Sequence, residues 1–147
     1  MTRSNRLLPL VASANERIEE SARKVAAARE VFARQEARLA ELMQYRQQYE
    51  HGAAELQPMR SFSVANSRAF QAQLDEAVRQ QESRVTAARE DVERMLDAWS
   101  KLRKEARAME QLVERFVSDE RRQVERVEQR HADDSSVTRK TGRGPVE

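Results

Sequence analysis

The chain has 147 residues, 35% of them charged, 39% hydrophobic and 5% aromatic, with Lys+Arg 27 against Asp+Glu 25 for a net charge of +2. So few aromatics, with both signs of charge interspersed, argue against a sizeable globular core and against sustained attraction for polyanions, so no nucleic-acid partner is expected. There is no cysteine, which removes disulfides and thiolate metal sites, and no apolar run approaches membrane-spanning length, so no direct membrane insertion is expected.

At the N-terminus, Arg3 and Arg6 precede Leu7-Leu8-Pro9-Leu10-Val11, and Ala12-Ser13-Ala14 has the small-residue form of a signal cleavage site. The apolar run is too short for a signal-peptide core, and Asn15-Glu16-Arg17 continues a helical pattern, so a helix start is expected here. Pro9 suits the first turn of that helix, where its missing N–H costs least. A helix is predicted over about 6–57. Val11, Ile18, Val25, Phe32, Leu39, Arg46 and Ala53 fall seven apart at the a positions, with Ala14, Ser21, Ala28, Gln35, Leu42, Tyr49 and Leu56 at d.

A turn is predicted over about 58–63, because Gly52 weakens the end of the first helix, Pro58 forbids its continuation, and Ser61 or Ser63 can cap a second helix. That second helix is predicted over about 64–131. Its a series is Val64, Gln71, Val78, Val85, Val92, Trp99, Ala106 and Val113; its d series is Ser67, Leu74, Gln81, Ala88, Met95, Leu102, Met109 and Phe116. A heptad held this long means a left-handed coiled coil, and the short connection makes the helices antiparallel neighbours. The fold class is therefore all-α: an antiparallel coiled-coil hairpin over 1–132. Residues 133–147 lack an apolar period and are expected to form a disordered tail.

Two registers fit the heptads. In the first, Trp99 faces Ser21 and Phe32 faces Ala88. In the second, Trp99 faces Ala28 and the two polar seam residues Arg46 and Gln81 meet; Glu36 then nears Arg89, Arg38 nears Asp91, and Lys24 nears Glu105. Burying Arg46 against a polar residue rather than Leu74 favours the second register. In either, the segment 117–131 projects past its partner, with Val117, Val124 and Val127 among alternating charges: either a solvated helix or a docking arm.

Little here supports catalysis, a cofactor or a metal. His51 and His131 have no Ser, Asp or Glu partners held around them. Glu128 and His131 have the spacing of a di-iron ligand pair, but such sites need carboxylates from four helices. There is no Gly-rich phosphate loop. Arg139-Lys140-Thr141-Gly142-Arg143 is the one uncompensated basic cluster, short and without aromatics.

One constellation departs from the pattern. Tyr45, Phe70 and Ala77 occupy g positions, where charged residues are the norm, and an antiparallel hairpin brings the two g edges together. With Leu42, Tyr49, Leu74 and Gln81 on the adjoining seam, they either widen the seam or form a partner-binding face.

Several stretches resemble the FliJ family of the bacterial flagellar protein-export apparatus. These are Arg6-Leu7-Leu8-Pro9-Leu10-Val11, Tyr45-Arg46-Gln47-Gln48-Tyr49, Phe70 through Leu74-Asp75-Glu76-Ala77-Val78 to Gln80-Gln81, and Leu112-Val113-Glu114-Arg115. The resemblance implies a cytoplasmic, non-enzymatic stalk, peripheral at the inner-membrane flagellar base. Its partners would be the hexameric flagellum-specific export ATPase, the membrane export gate and export chaperones. Carried over by position, the export-gate surface would comprise Leu42, Tyr45, Tyr49, Phe70, Leu74, Ala77 and Gln81. The ATPase ring would take the terminal end, including the overhang. The alternatives are the stalk of a virulence-type III secretion system and a generic coiled-coil scaffold.

Overall fold

A computed structural model describes the backbone of residues 2–55 and 61–142, and the side chains of 2–52 and 64–142. It consists of two helices packed against each other, α1 over Arg3–Glu55 (53 residues) and α2 over Ser61–Thr141 (81 residues), an all-α helical hairpin. Of the expected turn over 58–63, residues 58–60 lie outside the described residues, and 61–63 already belong to α2, which begins three residues before the expected start at 64. By its internal contacts the chain divides into two compact units, one of Ile18–Lys101 and one of Met1–Arg17 with Leu102–Glu147.

Burial follows the heptads almost residue by residue. Along α1 the positions that are not exposed are the a and d residues from Val11 to Tyr49, extended upstream by Ser4 and Leu7 and downstream by Gly52. Along α2 they are the a and d residues from Ser67 to Phe116, with Glu120 one step further and a few flanking positions such as Asp75 and Ala77. Val64 and Met109 are the exceptions, at 40% and 36% exposed. The most deeply buried apolar residues of the Ile18–Lys101 unit are Val78, Ala88, Val85, Val25 and Leu74. Small and β-branched side chains suit a seam only two helices wide.

Within this unit the register is the first of the two, correcting the preference for the second. Gln81 donates from Nε2 to Gln35, at 3.0 Å to its backbone carbonyl and 2.6 Å to its Oε1. Arg89 lies over the Phe32 ring, 5.6 Å from its centroid. Arg46 does not meet Gln81; its Nη1 reaches Asp75 at 3.5 Å. By heptad position Arg46 counts as a buried charge. In fact its side chain is about a third exposed and its guanidinium reaches a flanking carboxylate, so it avoids the penalty of an unpaired buried charge.

The helix ends also differ from expectation. α1 begins at Arg3, so Pro9 lies inside the helix rather than in its first turn. The start is set by capping. The Thr2 hydroxyl accepts from the Asn5 N–H at 3.4 Å, the Thr2 carbonyl accepts from Arg6 N–H at 3.2 Å, and Glu120 of α2 takes the Ser4 N–H at 3.1 Å. Two residues thus satisfy N–H groups that a helix start leaves open. At the other end α2 continues ten residues beyond His131, to Thr141, where the sequence predicts a tail from 133. The Ser135, Ser136, Thr138 and Thr141 hydroxyls turn back onto carbonyls of their own helix, and Arg139 and Lys140 sit favourably in the last turn. The rest of the expected tail, 143–147, lies outside the described residues.

Candidate partner-binding face

The aromatic constellation lies in the Ile18–Lys101 unit. Tyr45 and Phe70, on the g edges of α1 and α2, meet edge-on with ring centroids 6.4 Å apart and planes at 77°. Tyr49, at d, brings its ring to 4.8 Å from Phe70. Its hydroxyl donates to the Ser67 carbonyl at 3.3 Å and lies 3.1 Å from the Ser67 hydroxyl. Tyr49 is therefore fixed by packing on one side and a polar tether on the other, and it holds Phe70 from beneath. Tyr45 remains 52% exposed and Phe70 36%.

The seven residues singled out from the sequence separate into two groups. Tyr45 and Phe70 are exposed, with Leu42, Tyr49 and Ala77 half-buried beside or beneath them. Leu74 and Gln81 are buried, at 8% and 1% exposure, and Gln81 spends its amide on Gln35. A ligand docking on the closed seam meets the first group; the second supports it from inside. The heptad separates the g residues Tyr45 and Phe70 from the seam, but not half-buried Leu42 and Tyr49 from buried Leu74 and Gln81, all four of which are d residues. What the sequence reading missed is the Arg46–Asp75 pair, which places an ion pair between the helices directly after Tyr45 in α1. The heptad marks Arg46 only as a seam residue.

The unit formed by Met1–Arg17 with Leu102–Glu147 carries a second arrangement that the sequence reading missed. The Ser4 hydroxyl donates to Glu120 Oε2 at 2.7 Å while its N–H reaches Oε1, so one carboxylate takes two donors from the start of α1. Chiefly the Ser4 hydroxyl, then its N–H, hold the Glu120 carboxyl below the usual carboxylate range, against a smaller opposing effect of desolvation. The Arg3 guanidinium lies over the Phe116 ring at 5.9 Å, and Thr2, Asp119 and Gln123 complete an open cleft. The signal was available: Ser4 and Glu120 continue the a series beyond Val11 and Val113. Past Glu120, every described residue of α2 is exposed, including Val124 at 56%, Val127 at 51% and Val137 at 58%.

Among the described residues no helix is long and apolar enough to cross a membrane, and no group of three or more His, Cys, Asp or Glu is arranged to hold a metal ion. No curated protein and no solved structure matches the chain significantly. The family model described as "Flagellar FliJ protein" matches residues 3–144, which includes both helices, the aromatic face and the Ser4–Glu120 clasp. The chain therefore belongs to the flagellar FliJ protein family, a family of non-catalytic components of flagellar export.

Proposed function

We propose that this chain is the stalk and adaptor of the flagellar export apparatus, working in the cytoplasm at the inner-membrane flagellar base. The face built on Tyr45, Tyr49 and Phe70 docks the export-gate membrane protein. The paired termini and the exposed end of α2 engage the hexameric export ATPase, and the same apparatus brings the chain to export chaperones. ATP hydrolysis belongs to the ATPase. The observation that carries this reading is the aromatic cluster itself. Two exposed rings on g edges, buttressed by a tethered tyrosine, are a costly surface for a highly charged helix pair to leave in water, and clustered aromatics are what protein interfaces use as anchors. Membership of a flagellar family supplies the setting.

The test is the double variant Tyr45→Ala/Phe70→Ala. Because Tyr45 is 52% and Phe70 36% exposed, truncation should cost less stability than the ~3–5 kcal/mol of a fully buried Phe. As anchors, each should cost about 2 kcal/mol or more of binding. The variant should stay helical and melt near the parent, lose association with the export gate and abolish motility, yet retain the ATPase. A folded variant that binds the gate and supports swimming would sink the assignment; one that unfolds would return the rings to a seam role.

A further inference from the structure

We propose that the Ile18–Lys101 unit has two accessible registers one heptad apart, and that the Gln35–Gln81 pair is the lock selecting the one observed. The two helices carry interchangeable seams. Sliding α2 by seven residues, about 10 Å, moves Phe32 from Ala88 to Met95 and Leu42 from Val78 to Val85, so each apolar layer closes again on apolar side chains. Among the flanking charges, Glu36 would near Arg89, Arg38 would near Asp91, and Arg46 would exchange Asp75 for Glu82, seven residues on. In the observed register Arg89 lies over Phe32 and Asp91 pairs with Arg94 of its own helix. The slide would draw on Val64, Ala65 and Asn66 at the start of α2, whose side chains are exposed.

The polar seam residues discriminate between the states. Gln81 is 1% exposed and bonds Gln35; after the slide it would meet Arg46 and stay satisfied. Gln35 would be left against Val92 with no acceptor or donor opposite, and an unmade bond at a half-buried amide is the larger penalty. A single polar seam position is known to fix register in coiled coils, and within the Ile18–Lys101 unit that position is Gln35; the Ser4–Glu120 clasp opposes the same slide and is unchanged by substitution at Gln35. The slide also carries Tyr49 away from Phe70, so the aromatic face exists in one register only and any ligand of that face must favour it. Register can be read with no partner present, so the lock stands or falls independently of that ligand.

The absence of cysteine allows a direct reading by pairs sharing one site: Ser21→Cys with Trp99→Cys reports the observed register, and Ala28→Cys with Trp99→Cys the slid one. With Gln35 present, the first pair should form its disulfide faster under a brief oxidant pulse. In a Gln35→Leu background, the rate for the second pair relative to the first should rise about tenfold. Gln35→Met, which likewise removes the amide and keeps Gln81 free to meet Arg46 in the slid register, should give a rise in the same direction and serves if Gln35→Leu perturbs folding by circular dichroism. A ratio unchanged in both backgrounds overturns the lock, and faster linkage of the second pair with both glutamines intact overturns the assignment of register.

Discussion

At the residue scale, Glu120 shows how one side chain can set a helix boundary. A proline inside a helix removes a hydrogen bond and costs about 3 kcal/mol, so the segment of α1 before Pro9 needs an independent anchor. Glu120 supplies it by accepting the Ser4 N–H and hydroxyl and by placing negative charge at the positive end of the helix dipole. Glu120→Ala should therefore release the start of α1 as far as Pro9, seen as faster hydrogen exchange of the first amides, with the Ile18–Lys101 unit unaffected. The pH dependence has a definite sign. A carboxyl depressed in the folded state contributes stability above its ordinary pKa of 4.5 and loses it as pH falls below that value, through the lower folded one. The same amides should lose protection in that window, and Glu120→Gln, which cannot titrate, should remove the pH dependence. Unchanged exchange at acid pH would contradict the clasp.

At the element scale, the features legible in the sequence and those hidden from it obey different physics. The identity of both helices and of nearly every seam residue was legible, because the 3.5-residue period repeats the same instruction along each helix and no local exception can outvote it. Register and helix ends were not, because each rests on one or two contacts: Gln35 with Gln81, Arg46 with Asp75, Thr2 and Glu120 around the start of α1. The aromatic face lies between these cases. Its g-edge placement was visible from the heptad, whereas the tether of Tyr49 to Ser67 and the burial of Gln81 required the two helices together. Gly52 makes a related point. Its composition signal is a weakened end of α1, yet the helix passes through it to Glu55, with no positive φ and nothing within 4 Å of where a Cβ would stand. Glycine there costs backbone entropy without being needed for space or conformation, so Gly52→Ala should stabilise by about 0.5–1 kcal/mol. A rise in melting temperature checks this; a fall would mean that the glycine serves a contact made only in a complex.

At the scale of the whole molecule, the question is whether one chain satisfies its own seam. In both units the a and d residues of α1 lie against those of α2, and linkage through a short connection gives each helix an effective local concentration of its partner in the millimolar range. A parallel dimer of extended chains would forfeit that advantage and would lose the Gln35–Gln81, Tyr49–Ser67 and Ser4–Glu120 pairings, all of which join the two helices of one hairpin. The residues outside the seam argue the same way. The exposed apolar residues are scattered among charges of both signs at a net +2, apart from the Tyr45–Phe70 pair, which two rings alone leave too small for a stable self-association of standard size. Sedimentation equilibrium should therefore give a monomer of 17.0 kDa at micromolar concentrations, insensitive to Tyr45→Ala/Phe70→Ala. A dominant dimer that dissociates on that substitution would mean the aromatic face is used between copies of this chain. One that persists would mean that the seam itself exchanges between chains, and the scaffold reading would then replace the monomeric stalk.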